Sequence, residues 1–334
     1  EKPIIGWGPN NYYYAFNKHY NPKFLEHGWG ETWFDNAHSV IMNTIAVQGV
    51  VGIIAYLGMF ISAIVMLWKK YKEEKVDAHV FSIGIAFLLA HLASLVTVFD
   101  NPTSYLYFFL FLAFVSVSIE GKHIEKKESG NKQISVGLVS VVSLFVLLFI
   151  FSTNISPARA NQATLDVIRA LNAEQDITAM YEQATGINSP HIDDIRNDVS
   201  RSSYNVILKL SQNKKNAEAL KLFELAHTEL QKNIILHPKD IRVHLQLAQL
   251  NTLGAQLKND IGFIIEAESL LEEALSFSVK RQQVQYALYL VKMQLQKQDD
   301  AIAILKDSIE NNPNIGEGWW RLAMVYKQMG DIDK

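Results

Sequence analysis

The chain has 334 residues, a net charge of -3 and no cysteine. Because a surface that binds phosphates needs clustered Lys and Arg, this balance argues against a nucleic-acid-binding protein. Without cysteine, the chain cannot form a disulfide framework, a thiolate zinc site or a cysteine nucleophile.

The charges are divided unevenly along the chain. Residues 1–158 hold 11 Lys, 11 acidic residues and no Arg, together with long uncharged apolar runs, while the other 20 basic and 23 acidic residues follow. This division predicts a first part in lipid and a second part in water. Since the chain opens without Met and closes inside a repeat pattern, we expect it to be a fragment of a longer protein.

The first predicted element is an extracytoplasmic loop, residues 1–49. Its turn Gly6-Trp7-Gly8-Pro9-Asn10 lacks the third glycine and the preceding strand of a dinucleotide fingerprint, so a plain turn is expected there. The aromatic residues that follow suit either the lipid headgroup layer or stacking on sugar rings, and the sequence leaves both uses open. They are Tyr12, Tyr13, Tyr14, Phe16, Trp29, Trp33 and Phe34.

An apolar helical pattern opens at His38 at the end of this loop. Its period predicts a short helix lying on the membrane surface, and Gly49 and Gly52 would let the chain bend from it into the first span. A lone His in such a place is usually only a polar residue at the interface.

Four transmembrane helices are predicted within residues 50–153. Each is a run of close to the roughly 20 apolar residues that cross a bilayer, and none contains Lys, Arg, Asp or Glu. The alternative is a large buried helical core. The runs are Val50–Trp68, Ala78–Phe99, Thr103–Ile119 and Ile134–Thr153.

Loop charge orients these spans. Lysines follow the first and the third span, whereas the turn Asp100-Asn101-Pro102 between the second and third has none. Because Lys-rich loops stay cytoplasmic, residues 1–49 and 154–334 are predicted on the extracytoplasmic face of the membrane. The lysines are Lys69, Lys70, Lys72, Lys75, Lys122, Lys126, Lys127 and Lys132.

Residues 154–334 read as amphipathic helices that acquire a period of about 34 residues near the end, which is typical of a tetratricopeptide-like solenoid. Upstream, the pattern predicts further helices at 217–238, 241–258 and 264–277. The aromatic and small residues of the repeat are expected in the core, which leaves a concave surface for a protein or glycan partner. The matching positions are Leu288, Ala301, Pro313, Trp319, Leu322, Tyr326 and Gly330.

Residues 4–120 resemble the C-terminal region of the O-antigen ligase and O-antigen polymerase family. The resemblance lies in Gly-x-Gly-x-x-Asn from Gly6, a long outer loop, and Asp-x-Ala-His-Ser from Asp35 leading into Gly-x-x-Gly and a span. It implies an all-α fold in which polytopic transmembrane helices, like those of C-type glycosyltransferases, precede the solenoid. Asn36 and Ser39 depart from the residues common in that family.

The resemblance implies glycan transfer from a polyprenyl-diphosphate carrier to a glycan or lipid acceptor hydroxyl, in the biosynthesis of cell-surface polysaccharide or lipopolysaccharide at the bacterial cytoplasmic membrane. His38 would be catalytic, since a neutral imidazole can take or orient a hydroxyl proton. No cofactor is implied, and the missing upstream part would bind the diphosphate, so this fragment is expected to be inactive. The implied substrate-binding residues are Gly6, Gly8, Asn10, Lys18 and Asp35.

Other functions fit the sequence less well than this enzyme. Glu26, His27, Glu31 and Asp35 lack the spacing of metal ligands, so no metal site is predicted. A transporter would need charged groups in its spans, which are absent. The main alternative is a membrane-anchored tetratricopeptide scaffold for protein–protein interaction.

Overall fold

The computed structural model describes residues 2–120 and 136–331, and its described residues form helices and loops without a strand. The chain divides into two compact units. Unit 1 comprises residues 1–19 and 28–133, and unit 2 comprises Tyr20–His27 together with residues 134–334. The loop lysines Lys122, Lys126, Lys127 and Lys132 and the first two residues of the predicted fourth span lie outside the described residues.

Unit 1 contains four α-helices and a short 3-10 helix, Trp29–Thr32, in its described residues. The Ser39 side chain caps α2 by accepting from the Met42 N–H, and Asp77 caps α3 by accepting from His79 and Val80. The helices are α1 (Tyr12–Lys18), α2 (Val40–Lys72), α3 (Ala78–Ser94) and α4 (Pro102–Glu120).

The second, third and fourth helices pack around a small apolar core. Phe60, Leu67 and Leu88 are at most 2% exposed there, whereas many apolar side chains elsewhere on the same helices remain at the surface. Hydrophobic side chains therefore lie both inside unit 1 and on its outside, which is unusual for a protein surrounded by water.

The predicted bend at Gly49 is confirmed. Gly49 has φ 67° and ψ -160°, which breaks α2 into a short first segment and a long second one. That region of backbone space is open essentially only to glycine. Gly52, by contrast, continues the helix.

The prediction of four spans is not supported in full. Among the described residues, two helices are long and apolar enough to cross a membrane, Val40–Lys72 and the continuous helix Val136–Asn172. The third helix has 17 residues, which at 1.5 Å per residue reach only about 25 Å, less than the ~30 Å hydrocarbon layer. The apolar part of the fourth helix is likewise shorter than the two long ones.

Unit 2 consists of ten α-helices within its described residues and the short 3-10 helix Pro22–His27. A π-helical turn, Phe151–Ile155, joins its first two α-helices. The α-helices are α5 (Val136–Ile150), α6 (Ser156–Asn172), α7 (Thr178–Gly186), α8 (Ile192–Gln212), α9 (Asn216–Leu236), α10 (Ile241–Lys258), α11 (Gly262–Phe277), α12 (Gln282–Gln294), α13 (Gln298–Asn311) and α14 (Gly316–Gln328).

From α6 onward the helices pair in sequence order, as a solenoid requires. Shortly after the ends of α6, α8, α10, α12 and α14 stands a residue in the left-handed region, with φ between 50° and 80°, which turns the chain sharply. Only the last of these positions is a glycine, so the repeated turn is invisible in the amino-acid types. The residues are Glu174, Lys214, Asn259, Gln296 and Gly330.

The upstream helices predicted at 217–238, 241–258 and 264–277 are confirmed as α9, α10 and α11. Leu288, Ala301 and Leu322 are buried as the repeat pattern predicts. Trp319 differs, since its ring is 53% exposed and its indole N–H donates to the Pro313 carbonyl at 3.0 Å. The described residues contain no second helix after α14 that would cover that ring.

Candidate functional site

The glycine turn near the start of the chain has a structural role. Trp7 N–H donates to the Ala46 carbonyl at 3.0 Å, and Gly8 N–H donates to the Val47 carbonyl at 2.8 Å. These carbonyls end the first segment of α2, where the break at Gly49 removes their helical partners. The turn therefore compensates for the broken helix.

The backbone N–H groups just past the break find their acceptors in the residues immediately before the glycine turn. Val50 N–H donates to the Pro3 carbonyl at 2.8 Å, and Val51 N–H donates to the Ile4 carbonyl at 3.2 Å. Gly6 has φ 66° and lies so near the backbone of Val47 that a Cβ would come within 2.3 Å of its carbonyl carbon. Glycine at position 6 is thus required by the backbone itself.

Asn10 and Lys18 lie at the surface beside this turn. Asn10 is exposed, with φ 60°, and continues the turn. The Lys18 ammonium stands 5.7 Å from the centre of the Trp7 ring, and that of Lys2 stands 5.3 Å from it, so Trp7 lies within cation–π distance of both.

His38 is exposed and its ring makes edge contacts with two aromatic rings. The centroid of Phe99 is 5.4 Å away and that of Phe34 is 6.4 Å away. Asp35 is also exposed, and among the described residues no hydrogen bond or ion pair joins it to His38. A general base is normally oriented by a hydrogen-bonding partner, so a catalytic role of His38 and substrate binding by Asp35 stay predictions.

The repeat helices carry an aromatic and cationic cluster that the sequence did not single out. The Arg321 guanidinium of α14 lies 4.9 Å from the centre of the Tyr286 ring and 5.4 Å from that of Tyr289, both on α12. It also donates to the Tyr289 hydroxyl at 2.9 Å and pairs with Glu317 at 2.6 Å. Arg321 therefore joins the first helices of two successive repeats.

A second cluster lies at the start of α12, where the segment Tyr20–His27 packs on the repeats of unit 2. We call these eight residues the docked segment. The Tyr20 ring is centred 4.2 Å from the guanidinium carbon of Arg281, the residue that precedes α12. Tyr20 is 5% exposed and Arg281 is 0% exposed, so this contact is removed from water.

The other end of the docked segment is held by side-chain amides. Asn312 Nδ2 donates to Glu26 Oε1 at 2.7 Å, and Asn314 Nδ2 lies 3.5 Å from the same oxygen. These two hydrogen bonds lower the pKa of Glu26 below its usual range. We call Arg281, Asn312 and Asn314 together the docking shelf.

Burial changes the electrostatics of Arg281 in the docking shelf. Desolvation lowers the pKa of Arg281 to about 10, while the neighbouring Tyr20 opposes that shift. The guanidinium therefore remains charged near neutral pH, and burial strengthens its attraction to an aromatic face. Single-sequence patterns could not reveal this site, because its two halves are separated by most of the chain.

No known family model matches the chain, and no curated protein matches it significantly. The crystal structure of MamA shares 21% identity over 34% of this chain and 62% of its own, with a TM-score of 0.28. This chain thus spans less than two thirds of the length of that structure.

Two further solved structures are similar to the chain. The crystal structure of TTC0263, a thermophilic TPR protein in Thermus thermophilus, shares 18% identity over 52% of this chain and 84% of its own, with a TM-score of 0.33. A structure of MamA AMB-1 shares 18% identity over 53% of this chain and 85% of its own, with a TM-score of 0.31. Likeness at these TM-scores carries nothing about partners or activity.

The assignment to the O-antigen ligase and polymerase family is wrong. No family model supports it, and the similar solved structures are of the tetratricopeptide type instead of membrane glycosyltransferases. The physical reason for the false resemblance is that Gly6 is needed for the close approach to the Val47 backbone and the Gly8 N–H donates to the Val47 carbonyl, independently of any ligand. The glycan donor, the glycan or lipid acceptor and the role in polysaccharide or lipopolysaccharide biosynthesis lose their support with it.

Proposed function

We propose that the protein is a membrane-anchored helical-repeat scaffold whose unit 2 binds a protein partner. The observation that carries this proposal is the docked segment itself. Eight residues that are remote in sequence from the solenoid lie on it through a buried aromatic ring and a carboxylate held by amides. A surface that holds a short turn of its own chain has the chemistry to hold a similar segment of another protein.

The anchor rests on α2 and α5. Every residue of α5 is exposed and none is charged, which is unfavourable in water and suited to a lipid environment. In the arrangement with four spans, α3 and α4 also cross the membrane, and the bilayer thins locally around these shorter helices. Such mismatch costs only fractions of a kcal/mol per Å.

The location of the docked segment agrees with the topology expected from the loop lysines. Residues 20–27 can lie on the repeats only if both are on the same side of the membrane. An even number of crossings between them meets that condition, and the lysines after α2 favour the extracytoplasmic side for both. We therefore propose that residues 1–49 and 154–334 face away from the cytoplasm.

The proposal is tested with the full chain reconstituted in lipid nanodiscs. A displayed library of random peptides is selected on these discs and counter-selected on empty ones, and the enriched peptides are synthesised and titrated. We expect saturable binding of the enriched peptides to the full chain and no binding to empty discs. If the full chain enriches no peptide over empty discs, the scaffold proposal is wrong.

Anchoring is tested separately by expressing the chain and extracting membranes at alkaline pH. We expect the chain to stay in the pellet until detergent is added. Recovery in the alkaline supernatant would overturn the membrane part of the proposal without affecting the peptide-binding result.

A further inference from the structure

We infer that the docking shelf is a binding site for a partner segment that carries an aromatic residue followed six positions later by a carboxylate, and that the docked segment occupies this site in cis. The inference deepens the proposed scaffold function and rests on it, since it names where the partner binds and what chemistry it must present. Tyr20 and Glu26 supply this pair of groups in the present structure.

The aromatic end of the site is specified by Arg281. A fully buried guanidinium needs a partner that compensates for its lost hydration, and the face of an aromatic ring provides one at short range. An aliphatic residue at the same position would fill the space but would leave the charge less well compensated. The site therefore selects Tyr, Phe or Trp at the first position of the partner segment.

The acidic end of the site is specified by Asn312. Its Nδ2 donates to the Glu26 carboxylate, while its Oδ1 accepts from the Asn314 N–H at 3.1 Å, which fixes the orientation of the amide. Asn312 is itself 5% exposed and so has little freedom to turn. An acceptor is therefore required at this end of the partner segment, and a carboxylate makes the stronger, charge-assisted bond.

The spacing between the two ends is set by the fold of the docked segment. Pro22–His27 is a 3-10 helix, which rises only about 2 Å per residue, and its Leu25 is 8% exposed. The segment thus presents a ring and, six positions later, a carboxylate to the docking shelf. A partner segment that folds in the same way would make the same two contacts.

Because the docked segment occupies the site in cis, it competes with any outside segment for binding. A segment of the same chain competes as an intramolecular ligand, so an outside segment binds appreciably only if its contacts are better or the docked segment is weakened. Weakening the docked segment should therefore open the site to an added peptide.

The test uses the full chain in nanodiscs and a fluorescein-labelled peptide of residues 17–28 as the probe, with fluorescence polarisation as the readout. We expect the double variant Tyr20→Ser/Glu26→Gln to bind the probe at least about tenfold more tightly than the unmodified chain, because its own segment no longer competes. Lys23→Gln, a change at an exposed position of the same segment, is the control and should leave probe affinity unchanged. Equal affinity of the double variant and the unmodified chain would overturn occupation in cis.

A specificity swap then separates docking from a general folding defect. Asn312→Asp, added to the double variant, keeps the acceptor for the Asn314 N–H but replaces the donor to the carboxylate by a like charge. This change should weaken binding of the probe about tenfold or more. A probe with Gln in place of its Glu should recover binding by donating to the new carboxylate. Asn311→Asp adds the same charge one residue away and should leave the preference for the acidic probe intact.

The outcomes distinguish this inference from the scaffold proposal. If library-selected peptides bind the full chain but Asn312→Asp changes neither their affinity nor that of the probe, the docking shelf is wrong as the site while the scaffold function stands. If the Gln probe gains no advantage on the Asn312→Asp variant, the role of the side-chain amide is wrong.

Discussion

Gly49 lies directly against the backbone carbonyl of Ile4, and a Cβ on Gly49 would stand 2.4 Å from that oxygen. The two residues meet because Val51 N–H, just past the break in α2, donates to the same carbonyl. The break in the helix and the glycine turn near the start of the chain therefore depend on each other.

Replacing Gly49 should consequently destabilise unit 1. Gly49→Ala combines a backbone conformation closed to alanine, which costs about 1–3 kcal/mol, with a steric overlap that adds to it. Loss of helical signal on heating in detergent micelles measures the effect, and we expect a lower midpoint than for the unmodified chain. Gly58→Ala is the matched control, since Gly58 lies in the same helix with nothing within 4 Å of a Cβ. Equal midpoints for the two variants would mean that the close approach to Ile4 is not present.

Gly254 has a comparable role inside the solenoid. A Cβ at Gly254 on α10 would stand 2.3 Å from Cζ of the Phe223 ring on α9, and Phe223 is only 1% exposed. Because the ring has little room to move, Gly254→Ala should destabilise unit 2 by about 1–3 kcal/mol. Gly316→Ala, where nothing lies within 4 Å of the added atom, should change stability much less.

A second substitution tests the cause of that effect. Phe223→Leu shortens the ring side chain, so the pair Gly254→Ala/Phe223→Leu should lose less stability than the sum of the two single variants. Chemical unfolding followed by circular dichroism measures the coupling between them. Additive losses would show that the two side chains do not compete for the same space.

Glu229 should make the solenoid sensitive to acid. It is 7% exposed, accepts from the Tyr181 hydroxyl at 2.7 Å and pairs with Arg196 at 3.0 Å. Burial raises its pKa, but hydrogen bonds from Lys232 and Tyr181 outweigh burial and leave the pKa below the ordinary value. A carboxyl group whose pKa is lower in the folded state binds fewer protons there, so its contribution to stability is present above about pH 4.3 and is lost as the pH falls below that value.

Glu229→Gln should therefore lower the stability of α8 and α9 near neutral pH by about 1–3 kcal/mol. It should also make that stability fall less steeply as the pH is lowered. Hydrogen exchange of the α8 and α9 amides, measured across the acid range, reports both effects locally. Glu224→Gln is the matched control on the same helix, because the Glu224 pair with Lys258 at 3.0 Å is exposed. A variant at Glu229 that keeps the acid dependence of the unmodified chain would contradict the assigned role.

A charge in α5 should interfere with membrane insertion. Leu144 lies in the middle of α5 and is 57% exposed, so an arginine there would face lipid if α5 crosses a bilayer. Leu144→Arg should cost about 2.5–3.5 kcal/mol of apparent insertion free energy, measured by glycosylation mapping of microsomal products. Leu165→Arg on α6, at a residue that is 49% exposed, should leave insertion unchanged. Equal insertion of α5 with and without the new arginine would contradict its assignment as a span.

The sequence by itself determined the local elements of this protein. The helix at 241–258, the helix predicted at 264–277 and observed at Gly262–Phe277, the bend at Gly49 and the burial of Leu288 and Ala301 all follow from apolar periodicity and glycine placement, which act within a few turns of helix. The same short-range reading could not show that Gly6 and Gly8 meet the end of the first segment of α2, because a glycine needed for backbone approach looks the same as one needed for a ligand.

Tertiary structure alone decided which distant segments meet. Arg281 reads as an ordinary surface cation in the sequence, and only the fold buries it beneath Tyr20, at the far end of the chain. The left-handed turns at Glu174, Lys214 and Gln296 are likewise imposed by packing of the paired helices, since none of these residue types favours that conformation. Contacts of this kind depend on the simultaneous burial of several elements, and no local pattern of residue types encodes them.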